Sequence, residues 1–219
     1  MSWSVIQASL PAFGAAFWLT LELAALGIAG ALGIGAGVSL VQYFRVPGLH
    51  QVASVYVDVA RNTPLLVQLF FIYYGLPGLG LKLSAPVSGV LGLIFLGGSY
   101  MAEAFTGGYN AIPKSQLESG AALGLSPRQL ARFIVLPQGL TAAVPGLAAN
   151  VIFLVKETSI FTVIAIPELT NTALDLIGLY YRSNESLLML VVAYAIILVP
   201  LSWGLTQLER KVRHVTIGA

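Results

Sequence analysis

Five long apolar stretches run along the chain, divided by short polar interruptions. A helix needs about 20 apolar residues to cross a hydrocarbon core of roughly 30 Å. On that scale the pattern predicts spans over residues 12–41, 52–76, 87–112, 140–155 and 187–207. The first is unusually long and carries Gly27, Gly30, Gly33, Gly35 and Gly37; the Gly33/Gly37 spacing is one that lets a neighbouring helix approach closely. Pro64 lies inside the second stretch and predicts a kink there. A further apolar run, IFTVIAIPEL, is interrupted by Pro167 and is too short to cross. Irregular backbone at membrane depth is tolerated only where protein or a water-filled cavity covers it, so this run reads as a broken or re-entrant segment.

The polar segment ESGAALGLSPRQLARFIVLP, residues 118–137, departs from this pattern. Ser115 and Glu118 stand at capping-box spacing, with Pro113 just before them. The short helix that follows should stop at Gly124, a residue suited to the left-handed C-terminal position. Ser126 then starts a second helix as N-cap, with Pro127 at its first position and Gln129 three residues on. Leu125 and Leu130 occupy the two positions of a hydrophobic staple. The segment therefore reads as two helices joined by a glycine-dependent turn, either presented as a shaped surface or lying as an amphipathic connector on the membrane.

Composition narrows the class. Of 219 residues, 57% are hydrophobic and only 9% charged, against about 25% in a soluble domain. The chain is an all-α membrane protein on this reading. It has no cysteine, so thiol and disulfide chemistry are excluded. Arg45, Arg61, Lys114, Arg128, Arg132, Arg210, Lys211 and Arg213 fall on one set of span ends, and Lys82 and Arg182 on the other. That bias predicts an outside N-terminus, an odd number of spans and a cytoplasmic C-terminus, which puts the polar segment in the cytoplasm. The first thirteen residues lack Lys and Arg, so no cleavable signal peptide is expected.

Enzymatic signatures are missing. The nearest approach to a phosphate-binding loop, GLPGLGLKLS, places neither Lys82 directly after a glycine nor Ser or Thr after the lysine. His50 and His214 stand in charged flanks without a ligand cluster, and no metal or cofactor is expected. Charged residues near the spans are the informative exceptions, because each is costly to bury and has to face a partner, a cavity or water. Glu22 sits within the first span. Asp58 and Arg61, three apart, are placed to pair with each other, with a substrate contact as the alternative. Gln68 and Glu103 are candidate pore-lining residues, with a structural or gating hydrogen bond as the equal alternative for Glu103. Lys156 and Glu157 end the fourth span, and Glu157, Thr158, Ser159 and Glu168 around the broken segment are the strongest substrate-site candidates, since transporters place such sites at helix discontinuities. Lys156–Glu157 as a local charge pair is the alternative. Asp175, Arg182 and Glu185 lie in an outer polar stretch that reads either as a docking patch or as ordinary solvated charge.

The polar segment resembles the "EAA" loop of ABC-transporter permease subunits, in which Glu-Ala-Ala, three residues, Gly, nine residues, Ile, one residue and Leu-Pro follow one another. Here the series is Glu118-Ser119-Gly120, then Gly124, Ile134 and Leu136-Pro137, with every spacing kept and small residues replacing both alanines. RNTPLLVQLFFIYYGLP, SYMAEAFTGGYNAIPKSQ and VKETSIFTVIAIPEL are similar to stretches of the polar amino-acid permeases. Thr106, Ser115 and Glu157 stand where that family often has Arg, Gly and Asp. The resemblance implies a type I importer fold forming a single permease domain over residues 1–219, with a coupling loop at about 113–137. It implies that Glu118, Ser119, Gly120, Ala121, Ala122, Leu123, Gly124, Leu125, Ser126 and Arg128 dock on a cytoplasmic ABC ATPase dimer. ATP and Mg would bind that partner and not this chain. The other implied partners are a second permease copy, identical or related, an extracytoplasmic substrate-binding protein, a polar amino acid and the lipid bilayer, with no nucleic acid. The implied location is the bacterial inner membrane, crossed several times. An ATPase-independent carrier or channel is the rival; such proteins usually carry internal repeats and more spans.

Overall fold

The computed structural model describes residues 3–217, with side chains described to residue 212. All regular structure among them is helical. Helix α1 (Trp3–Tyr43) has 41 residues, about 60 Å at 1.5 Å per residue, roughly twice the hydrocarbon thickness. It packs most extensively on α4 (Ala85–Asn110). The close approach is made at Gly27, Gly30 and Gly35, not at the predicted Gly33/Gly37 pair, where an added Cβ would meet nothing within 4 Å. Gly35 is the strictest of these: a Cβ there would lie 2.9 Å from the Ala102 amide nitrogen and 3.0 Å from the Gly98 carbonyl oxygen. Two residues along a helix turn the side chain by about 200°, so Gly33 and Gly37 face away from the face that Gly35 presents.

The second predicted span is not one kinked helix. It divides into α2 (Leu49–Asn62) and α3 (Leu65–Phe70), and α3 continues through a π turn at Phe71–Gly75 and a 3-10 turn at Leu76–Leu79. Thr63 (φ −113°, ψ 125°) is extended, as a residue before proline prefers, and Pro64 has no N–H with which to continue α2. Gln68 repairs the break: its side-chain nitrogen donates to the Ala60 carbonyl at 3.0 Å and to the Thr63 carbonyl at 2.9 Å.

α5 (Lys114–Ala122) and α6 (Pro127–Leu130) form the polar segment. A π turn at Ala131–Val135 leads into α7 (Leu136–Glu157), so helix runs through Pro137 instead of restarting after it. A 3-10 stretch, Thr158–Ile164, then reverses at Ala165, whose φ is +55°. This is the predicted broken segment, and Phe161, Ile164 and Ile166 within it are buried. α8 (Leu169–Tyr180) occupies part of the stretch read as a polar outer loop, and α9 (Ser183–Ile217) closes the chain.

Four helical runs are long and apolar enough to cross a membrane: α1, α4, the run Pro127–Ile164, and Ser183–Val212. The shorter apolar piece Leu65–Leu79 takes the place of the remaining predicted span. α4 is central, gripped by α1, α2, α3 and α7 around Leu93, Met101, Leu154 and Phe161. A second cluster ties α1 to α8 and α9 through Phe13, Ala24, Leu169, Ala173 and Ile197. α9 keeps nearly all of its apolar length exposed on the single subunit.

Candidate coupling segment and charged wall

The turn between α5 and α6 is built as its sequence demands. Gly124 has φ +82°, the left-handed region that favours glycine. The Leu125 amide donates to the Gly120 carbonyl at 3.1 Å and the Gly124 amide to the Ala121 carbonyl at 2.9 Å, the paired closure of a helix C-terminus. The Ser126 capping box has both halves: the Ser126 amide donates to Gln129 Oε1 at 2.8 Å, and the Gln129 amide donates to Ser126 Oγ at 3.4 Å. The predicted box at Ser115 and Glu118 is not made. α5 begins at Lys114, directly after Pro113, so Ser115 is already inside the first turn and caps nothing.

Gly120 is the buried residue of α5. A Cβ on it would fall 2.5 Å from Leu130 Cδ2, 2.8 Å from Ile134 Cδ1 and 3.4 Å from Leu125 Cδ1. The two staple leucines and Ile134 therefore converge where an alanine methyl would stand. Glycine has a lower helix propensity than the alanine of the family pattern, but at position 120 it leaves a seat for three aliphatic side chains that lock α5 against α6. Around this seat Glu118, Ser119, Ala121, Ala122, Leu123, Gly124, Ser126 and Arg128 are exposed, and Leu123 is 84% exposed at the tip. Ser115, Gln116, Ser119, Leu123 and Gln138 border a shallow groove of about 400 Å³ over the same seat.

A second group of chemistry-bearing residues lies on α2, α4 and α7. The expected Asp58–Arg61 pair is not formed: Asp58 is exposed, and the Arg61 guanidinium Nη1 donates instead to Glu103 Oε1 on α4. The guanidinium carbon also lies 5.2 Å from the Tyr100 ring centroid. Tyr100 in turn meets Phe153 of α7, with centroids 5.1 Å apart, and the Asn150 side chain donates to the Tyr100 carbonyl at 3.0 Å. Glu157 follows Phe153 by one helical turn and is partly exposed.

The other predicted substrate candidates are placed differently. Glu168 is fully buried and caps α8, its carboxylate accepting from the Thr170 amide at 2.8 Å and the Asn171 amide at 2.7 Å. Thr20 of α1 accepts the next amide, from Leu169, at 3.2 Å. Thr158 is buried and donates to the Val155 carbonyl at 2.7 Å, while Ser159 is partly buried. Gln68 holds the α2–α3 break as described above. Glu22 is exposed on α1. In the outer stretch, Asp175 accepts from the Asn171 side chain at 2.9 Å, and Glu185 is buried in the first turn of α9 instead of solvated. Arg213 and His214 lie outside the described side chains. Sequence reasoning missed the partnership of Arg61 with Glu103 and the part played by Tyr100, because 42 residues separate the ion pair and no local spacing marks it.

With this geometry in view, comparison with known proteins is decisive. Residues 29–214 match the family described as "Binding-protein-dependent transport system inner membrane component". The chain belongs to that family. Among its relatives, the glutamine transport system permease protein GlnP of Escherichia coli K12 is 34% identical over 213 residues, covering 96% of this chain and 97% of that protein. The probable glutamine ABC transporter permease protein GlnP of Bacillus subtilis is 36% identical over 157 residues, 72% of each chain. The crystal structure of an amino acid ABC transporter with histidines superposes with a TM-score of 0.91 at 29% identity, over 96% of this permease and 99% of the matched chain. An inward-facing MetNI methionine ABC transporter shares the fold, with a TM-score of 0.79 at 20% identity over 97% of this chain and 99% of the matched one. The type I importer permease fold anticipated from the coupling-loop pattern is thus the fold this permease has.

Proposed function

We propose that this chain is the non-catalytic, membrane-spanning permease subunit of an ATP-driven importer for polar amino acids, working in a bacterial inner membrane. The observation that carries the reading is the α5–α6 segment. Its turn is closed by Gly124, capped by Ser126 and locked through Gly120, and it presents Glu118, Ser119, Leu123 and Arg128 outward. A mere connector needs no such rigidity. A segment that passes the motion of an ATPase to membrane helices does, because a compliant one would absorb the stroke. It also runs helically into α7 without a loop that would decouple them. The amino-acid class follows from the relatives named as glutamine and amino-acid permeases, all matched over most of their length.

On this reading a cytoplasmic ABC ATPase dimer grips the α5–α6 segments of two permease copies, and ATP with its Mg binds only the ATPase. A substrate-binding protein delivers the amino acid from outside. Glu103 and Glu157, the partly or largely exposed carboxylates of α4 and α7, line the route, and Ser159 stands beside them. Gln68, Thr158 and Glu168 serve the backbone instead: Gln68 closes the α2–α3 break, Thr158 bonds the end of α7 and Glu168 caps α8. Affinity purification of the tagged chain from its native host, followed by mass spectrometry and reconstitution, tests this. A copurifying ATPase and ATP-dependent accumulation of an amino acid are expected. Accumulation driven by an ion gradient without an ATPase would replace the reading with that of a secondary carrier.

A further inference from the structure

Glu103 lies inside the α4 span, seven residues before its end at Asn110, which places it about 10 Å along the helix from that end. A charge within a span has to face protein, a cavity or water. Glu103 and Arg61 nevertheless keep 54% and 36% of their side chains exposed. Lipid is therefore excluded as their environment, which leaves a partner subunit, a cavity or water beside the face shared by α2 and α4. The pair is also only half engaged. One guanidinium nitrogen meets one carboxylate oxygen, and neither side chain makes another hydrogen bond among the described residues. A guanidinium has five N–H donors and a carboxylate about four acceptor positions, so both retain most of their capacity. The Tyr100 ring faces the guanidinium, its centroid 5.2 Å from the guanidinium carbon. Gln68 fixes the end of the helix that carries Arg61, through the Ala60 carbonyl.

Resting on the importer reading, we propose that Arg61 and Glu103 form the binding site for the zwitterionic head of the transported amino acid. The substrate α-carboxylate takes the free N–H groups of Arg61, and its α-ammonium takes the free oxygen of Glu103. Both side chains sit on flexible stems and can part to admit the head between them. The exchange replaces one charge contact by two and moves no net charge into the membrane, since the pair and the head are each neutral overall. That neutrality matters where dielectric screening is weak and an unmatched charge is costly. The site reads the part common to all free α-amino acids. It rejects amines and keto acids, which leave one partner unmatched, and leaves side-chain selection to other residues.

The test uses the whole transporter in proteoliposomes, with its ATPase and binding protein. The probe is whichever radiolabelled L-amino acid the wild-type complex accumulates from a mixture of the proteinogenic set. Three variants are compared: Arg61→Gln, Glu103→Gln and the exchange R61E/E103R. The expected result is that all three lower uptake per ATP by about 10-fold to 100-fold, the worth of a hydrogen bond to a charged group. Hydrolysis stimulated by the binding protein is expected to remain. Recovery of uptake in the exchange variant would reduce the pair to a tie between helices and overturn the proposal. So would unchanged uptake in the single variants, or loss of hydrolysis together with uptake in all three. A wild-type complex that accumulates no amino acid would bring down the importer reading itself, and this site with it.

Discussion

Replacing Gly124 isolates the role of the coupling turn, because the structure separates conformational from steric cost there. Its φ of +82° belongs to the left-handed region, while a Cβ added to it would meet nothing within 4 Å. Any penalty is therefore local backbone strain and not a clash. For an ordinary residue that strain is about 1–2 kcal/mol, larger for a β-branched side chain and smaller for asparagine. If the turn relaxes to escape it, the two closing bonds from the Leu125 and Gly124 amides are at stake, each worth about 0.5–1.5 kcal/mol. Gly124→Val should thus destabilise the native turn by about 2–3 kcal/mol, lowering its population relative to relaxed forms by roughly 30-fold to 150-fold. Membrane insertion should be untouched, since no packed contact is lost. In reconstituted vesicles the variant is expected to assemble and to hydrolyse ATP with little transport, and harm should rise in the order Asn, Ala, Val. Normal uptake in Gly124→Val would refute the argument, and so would equal damage from Asn and Val, because asparagine tolerates the left-handed region and a β-branched residue does not.

Other perturbations follow from particular contacts. Gly120→Ala should gain about 1 kcal/mol of helix propensity and lose most of it by displacing Leu130 and Ile134; combining it with Leu130→Ala should relieve the clash, and thermal melting of the purified complex would show the non-additivity. Gln68→Leu removes the donor to the Ala60 and Thr63 carbonyls, which should cost about 1–3 kcal/mol and appear as a lowered melting temperature. Glu168→Ala strips the α8 cap and should destabilise by about 0.5–2 kcal/mol, with uptake per ATP preserved in the molecules that remain folded. Gly35→Val forces a branched side chain against the Ala102 and Gly98 backbone; the expected outcome is poor assembly and loss of the purified complex on size exclusion.

Local chemistry carried much of this protein. The residue types around Gly124 and Ser126 dictate their own turn and cap, because the backbone groups they satisfy lie within a few residues of them. Pro113 shows the limit of even this reading: it starts α5 two residues too early for Ser115 to act as a cap. Apolar length predicted where spans lie, since the thickness of a membrane is a one-dimensional constraint. At residues 52–76 the interruption expected at Pro64 is a full break and not a kink, and Gln68 satisfies the carbonyls left behind. That repair depends on a side chain folding back across the break, which no periodicity reveals.

What the sequence by itself determined is therefore the membrane class, the positions of the apolar helices and the capped turn of the coupling segment. All of these rest on interactions between near neighbours or between the chain and its solvent. Only the tertiary structure decided which glycines admit α1 against α4, why Gly120 is a seat and not merely a weak point, that Glu168 serves α8, and that Arg61 chooses Glu103 over Asp58. Those outcomes depend on the rotational setting of packed helices, and a shift of one residue turns a side chain by about 100° from partner to lipid.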